Sequence, residues 1–133
     1  MPDSRLSVRI ITPERIAFDG EADAVVATAY DGEVGILPGH APLMVVLGIG
    51  EFRLRQGDRY EWFAIGEGFL HVLDDVVTVL TPFATHAREI DVEAAKRLEI
   101  TAADNPLLQG SILGEEQRKR LGKLMERVAE KAR

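Results

Sequence analysis

The chain has no cysteine, which excludes disulfides and thiolate metal sites and is compatible with a reducing compartment. No apolar run reaches the roughly eighteen residues that a membrane-spanning helix needs. The opening Met1-Pro2-Asp3-Ser4-Arg5 carries no hydrophobic signal segment. The expectation is a chain made and kept in the cytosol or an equivalent internal space. His40, His71 and His86 fall in separate segments, and there is no H-x-H, H-x₃-H or acidic calcium loop, so no metal site is expected. With no Gly-x-Ser-x-Gly and no cysteine nucleophile, the common hydrolase signatures are absent too. Gly66-Glu67-Gly68 lacks the further glycine and the strand-to-helix setting of a phosphate loop and reads as a backbone turn. Internal repeats and low-complexity tracts are also missing.

What is present is a 133-residue chain with 46% hydrophobic and 29% charged residues, enough for one globular domain or a small domain with an appendage. The net charge of -6 is unevenly placed. Residues 114 to 133 hold seven basic and four acidic side chains; the rest of the chain holds nine basic and eighteen acidic ones. An acidic body argues against nucleic-acid binding, and a basic tail seeks an acidic surface on this protein or another.

Up to about Leu80 the pattern is β. Leu6–Ile10 alternates apolar and polar residues, as a half-buried strand does. Ala24–Ala27 is a short apolar run. Glu51–Arg55 and Arg59–Ala64 flank the turn Gln56-Gly57-Asp58, and Phe69–Leu73 and Val76–Leu80 flank Asp74-Asp75. Both are hairpin signals. Eight or more short strands of this kind predict an antiparallel sandwich or barrel. Tyr60, Trp62, Phe63 and Phe69 read as core or sheet-face residues, with a carbohydrate-stacking face as the rival reading.

After Pro82 the pattern becomes helical. Asp91 is placed to cap a helix running to about Ala103, which Asp104-Asn105-Pro106 ends. A second helix starts near Gly114 or Glu115, with acids first and bases last, as the helix dipole favours. Leu121, Leu124, Met125, Val128 and Ala132 share one helical stripe. Opposite lie Arg118, Lys119, Lys123, Glu126, Arg127 and Glu130. The class is therefore α+β: a sandwich domain over 1–86 and a two-helix hairpin over 87–133.

The segment Asp31-Gly32-Glu33-Val34-Gly35-Ile36-Leu37-Pro38-Gly39-His40-Ala41-Pro42-Leu43 holds three glycines, two prolines, two acids and a histidine in thirteen residues. Glycines permit backbone shapes that other residues resist, and prolines fix their own φ. This is a stiff, shaped surface loop. Acid/base or metal chemistry at Asp31, Glu33 and His40 would need convergent ligands that the sequence does not supply. Protein docking fits the stiffness best.

The chain resembles the epsilon subunits of F-type ATP synthases, called delta in mitochondria. The residues that carry the likeness are Leu6–Pro13, Phe18-Asp19-Gly20, the whole Asp31–Leu43 segment, Gly66–Val72, Val77–Leu80, Ile90-Asp91 and the tail. The resemblance implies a flattened antiparallel β-sandwich followed by a helical hairpin, and a rotor subunit with no active site. It implies binding to the gamma subunit and seating on the polar loops of the membrane c-ring. Glu33 and His40 are the implied ring contacts, within a loop shaped by Gly35, Pro38 and Gly39.

Family tails fold against the sandwich or extend along gamma, where they brake ATP hydrolysis near the catalytic beta subunit, with alpha close by. Arg118, Lys119, Arg120, Lys123 and Arg127 are the implied basic contacts. Leu121, Leu124, Met125 and Val128 are the implied apolar stripe, set to pack on the first helix in one state and on gamma in the other. Some members bind ATP through Ile/Leu-Asp-x-x-Arg-Ala. Ile90, Asp91 and Ala95 match it, but Ala94 stands in the arginine position, so no cofactor is expected. The implied location is peripheral, on the cytoplasmic face of a bacterial plasma membrane. The rival is a stand-alone carbohydrate-binding sandwich with a dimerising hairpin.

Overall fold

In the computed structural model the described residues are 5–90 and 115–131, with side chains of the last segment described from 122 onward. Nine strands run in order: β1 Leu6–Ile11, β2 Ile16–Ala22, β3 Ala24–Ala29, β4 Gly32–Ile36, β5 Leu43–Gln56, β6 Arg59–Ile65, β7 Gly68–Leu73, β8 Val76–Leu80 and β9 Ala84–His86. A 3₁₀ turn, Ala87–Glu89, and the helix α1, Glu115–Lys131, follow. The expected first helix, 91 to 103, and the linker to 113 lie outside the described residues.

The strands form one curled sheet in the order β2-β1-β8-β7-β5-β3-β4, with β6 on β5 and β9 on β6. The long strand β5 makes the curl. Its residues Leu43–Leu47 pair with β7, and its residues Gly50–Gln56 pair with β6 along the same edge. One strand thus belongs to both layers of a sandwich: β2-β1-β8-β7 with the start of β5, and β9-β6 with the end of β5, then β3 and β4. Sequence alternation marks only 51–55 of this strand. The expected all-antiparallel pairing also needs correction. β1 and β8 run parallel, Val8 opposite Val77 and Ile10 opposite Val79.

The core lies between the layers. Leu6, Val8, Ile10, Leu70, Val72, Val77 and Val79 face Val25, Ala27, Phe52, Leu54, Phe63 and Ile65, all at most 1% exposed. Phe63 meets Phe18 and Phe52 edge-on at 5.7 and 6.2 Å, the geometry that ring quadrupoles favour. Of the aromatics expected in the core or on a sheet face, Phe63 is core, and Phe69 and Tyr60, more than half exposed, lie on a sheet face.

Asp23 ties the β2–β3 corner to the β5–β6 turn. Its carboxylate accepts the Gly57 N–H at 2.7 Å and the Arg5 Nε–H at 3.1 Å. These bonds, the backbone one first, hold the Asp23 carboxyl below its ordinary value. A carboxyl depressed in the folded chain stabilises it above the unfolded pKa and loses that contribution as pH falls through the folded value. Asp23→Asn should therefore lower the urea midpoint near neutrality, the difference from the parent fading as pH drops below about 4. Equal midpoints at neutral pH would contradict this account.

Candidate functional site

The segment expected to be a loop is half strand. Glu33 and Gly35 lie on β4, exposed, paired with Thr28 and Val26 of β3. The true loop is 37–42, and its tip is a tight turn. Pro38 supplies the fixed φ, Gly39 sits at φ +86°, and the His40 N–H donates to the Leu37 carbonyl at 3.2 Å. This is the Pro-Gly order of a type II turn, whose third position needs positive φ. His40 turns its ring inward on its own chain, Nδ1–H donating to the Ala41 carbonyl at 2.6 Å. The Gly39 N–H donates to Asp75 Oδ1 at 2.7 Å. Asp75 belongs to the β7–β8 turn, where both Asp74 and Asp75 adopt positive φ. Nothing local in the sequence announces that Asp75 anchors this loop.

That anchor sets the loop at one end of an unusual sheet face. The pairing registers bring Val46, Phe69, Leu80 and Ile11 into one row across β5, β7, β8 and β1. The next row is Met44, His71, Thr78 and Arg9, and Leu73 and Val76 follow. These side chains point away from the core. Met44 is 64% exposed, Val46 50%, Phe69 52% and Leu80 50%. An outward face this rich in large apolar groups marks an interaction surface.

The opposite outer face is charged and already carries α1. Leu124, Val128 and Ala129 are buried, and Leu124 and Val128 share a cluster with Ala64 and Ala87, joined by Ile49, Trp62, Phe83, Ile90 and Met125. The stripe at Leu124, Met125 and Val128 is therefore committed to the sandwich among the described residues. Ile90, matched to a nucleotide motif, spends its side chain on this packing; Asp91 and Ala95 lie outside the described residues, as do the side chains of Arg118, Lys119, Arg120 and Leu121. Lys123 is exposed. Arg127 Nε stands 3.9 Å from Glu51, and Lys131 Nζ lies 5.2 Å from the centre of the Trp62 ring.

Trp62 also receives Arg53, at 5.3 Å, and Arg53 reaches Glu33 at 3.9 Å. Two cations thus lie against the Trp62 ring, an attraction to its quadrupole that competes with sugar stacking there. Sequence reading left Trp62 as core or sheet face and could not supply these neighbours, which come from three separate segments. At the base of the tail, His86 Nε2–H donates to Glu61, while its Nδ1 accepts the Arg88 N–H at 3.0 Å and caps the 3₁₀ turn. Among the described residues no group of three or more His, Asp or Glu is arranged to hold a metal, and no helix is long and apolar enough to cross a membrane.

The family model for the ATP synthase delta/epsilon chain β-sandwich domain matches residues 5–87. The ATP synthase epsilon chain of Desulforamulus reducens is 42% identical over 102 residues, 77% of each chain. That of Leptospira borgpetersenii is 40% identical over 93 residues, 70% of this chain and 73% of the relative. The fold is similar to a chain in the mitochondrial ATP synthase OSCP/F1/c-ring structure of Euglena gracilis. Its TM-score is 0.66 at 22% identity, over 96% of this chain and 78% of that one. It is also similar to a chain in the central stalk/c-ring structure of Tetrahymena thermophila ATP synthase, with TM-score 0.59 at 14% identity, over 93% and 96%.

Proposed function

This chain belongs to the ATP synthase delta/epsilon family, and from that membership we propose that it is a non-catalytic rotor subunit joining gamma to the c-ring. It works as part of a membrane-associated complex. The observation that carries the reading is the pairing of an exposed apolar side face with a stiff turn at its end. A partner that stays attached under torque needs a large apolar contact, since apolar burial is the main favourable term in permanent interfaces. The Met44-Val46-Phe69-Leu80 face supplies it for gamma. A ring of polar membrane loops needs a polar, conformationally fixed contact instead. Residues 37–42, pinned by Asp75, supply the fixed shape for the c-ring, with Pro38, Gly39 and His40 at the tip, and Glu33, on β4 beside Gly35, supplies the charge. Coupling of proton flow to ATP synthesis then needs no chemistry from this chain.

The tail is the regulatory element in this reading. Docked, its stripe is buried on the sandwich. Released, the stripe is free to pack along gamma, and Arg118, Lys119, Arg120, Lys123 and Arg127 are free to meet acidic groups on beta, with alpha beside it. The position is the cytoplasmic face of a bacterial plasma membrane. No nucleotide is required, because Ala94 offers no charge to a phosphate.

A tagged copy drawn from detergent-solubilised membranes of the source organism should bring down gamma, alpha, beta and ring subunits. Recovery of none of them, from membranes that hold an intact synthase, would remove the rotor reading. Ending the chain after Glu89 should leave assembly intact and raise ATP hydrolysis by the purified complex severalfold. Alanine at the five basic tail positions should do the same if charge is the main attraction. Unchanged hydrolysis in both would take the brake out of this account.

A further inference from the structure

Glu33 and helix α1 lie at opposite ends of one short line of contacts across the charged outer face. Glu33 on β4 is 3.9 Å from Arg53 on β5. Arg53 lies over the ring of Trp62 on β6, at 5.3 Å, and Lys131 of α1 lies over the same ring at 5.2 Å. We propose that Glu33 and the docking of α1 are energetically coupled through Arg53 and Trp62, so that a partner engaging Glu33 loosens the tail.

The sign follows from elementary electrostatics. A ring quadrupole attracts a cation, but two cations near one ring repel each other over a distance comparable to the screening length of ~8–10 Å. Glu33 offsets the charge of Arg53 and draws it to one side. The ring is then a better seat for Lys131. When Glu33 is neutralised, or turned toward a partner, Arg53 is left uncompensated and competes for the ring. Docked α1 is weakened. Removing Arg53 does the reverse: the ring is left to Lys131, and Glu33, which touches α1 only through Arg53, no longer acts on the helix. Helix docking is an equilibrium between bound and released states, and each change acts only by its difference between them. The second anchor, Arg127 to Glu51 at 3.9 Å, is independent of Glu33 and keeps the docked state populated while the first is tuned.

The link rests on contacts within this chain; its use as a signal from ring to brake rests on the function proposed above. Trp62 is the sole tryptophan of the 133 residues, so its fluorescence reports on this ring alone. In the full chain at low ionic strength, Glu33→Gln should raise hydrogen exchange of the α1 amides and acrylamide quenching of Trp62 by roughly two- to fivefold. Arg53→Gln should lower α1 exchange by a similar factor, and adding Glu33→Gln to it should change nothing further. About 1 M salt, where screening acts over ~3 Å, should erase these differences. The coupling is overturned by unchanged α1 exchange in Glu33→Gln, or by an equal effect of Glu33→Gln with and without Arg53. ATP hydrolysis by the reassembled complex separates the two ideas. Exchange that moves as described beside unmoved hydrolysis supports the coupling and removes its use as a signal to the brake.

Discussion

Val46→Glu with Phe69→Glu is expected to abolish retention of gamma when the two subunits are co-expressed, weakening binding on the order of 100-fold or more. Both side chains point outward in one row, directly paired across β5 and β7, and each is about half exposed. In the proposed complex their rings and methyls are buried against gamma. A carboxylate there must be stripped of water without a partner, which costs far more than the lost apolar contact. Two such charges at the centre of the face leave no way to relax around one of them. The isolated chain should lose little: outward substitutions away from caps and cores are usually within about 0.5 kcal/mol of neutral, and two like charges directly opposite across a strand pair add a cost of about 1 kcal/mol or less. The pair of readouts is therefore a gamma pull-down and a thermal melt. Loss of gamma with a melting point within roughly 5 °C of the parent is the expected outcome. Full retention of gamma would mean that the partner sits on another face. As a contrast, the same two substitutions should leave α1 docked, since α1 covers the opposite layer.

Gly68→Ala is expected to cost about 3 kcal/mol or more of stability and to lower the melting temperature by roughly 10 °C or more. A Cβ at Gly68 would lie 2.1 Å from the carbonyl oxygen of Leu80 and 3.0 Å from the Cα of Thr81. Those atoms are backbone, so no rotamer change relieves the overlap. Either β7 or β8 must shift, and β8 is held on its other edge by the parallel pairing with β1. The strain therefore spreads into the middle of the sandwich. Gly35→Ala is the matched control. It also lies in a strand, but its Cβ would meet nothing within 4 Å, so its stability should change by less than ~1 kcal/mol. Urea midpoints of the two variants decide the matter. A parental midpoint for Gly68→Ala would show that β7 and β8 can part at little cost.

Both predictions depend on features that local sequence did not display, for reasons that differ. The face at Met44, Val46 and Phe69 was hidden because strand reading relies on alternation between an apolar inside and a polar outside. Here the outside is apolar as well. The first half of β5 therefore shows no period-two signal, and only its second half, Glu51–Arg55, looks like a strand. The break in the pattern coincides with the exposed apolar face proposed to meet gamma. The clash at Gly68 was hidden because its neighbour, Leu80, reaches it only through strand pairing. In sequence Gly66-Glu67-Gly68 is simply a turn.

Other elements were plain. Gln56-Gly57-Asp58 and Asp74-Asp75 announced their hairpins, because a tight turn has strict backbone needs that few residues meet. Pro38-Gly39 announced a shaped tip for the same reason. The stripe Leu124, Met125 and Val128 announced a helix needing a cover, and placed its start at Glu115 or one residue before. Which surface covers it was not announced, since an apolar stripe records burial but carries no address.

Sequence alone determined the local matters: strands where one side is wet, turns where backbone shape is strict, a helix where apolar spacing is regular, and the family to which these belong in order. Tertiary structure alone decided which strand serves two layers, why β1 and β8 run side by side in parallel, which face is left apolar, and how Glu33, Arg53, Trp62 and Lys131 come into line. The division has one physical cause. Backbone preference and side-chain periodicity act over a few residues and leave their mark in composition, whereas pairing register and face-to-face contact act between segments dozens of residues apart, and are fixed only when the chain has closed on itself.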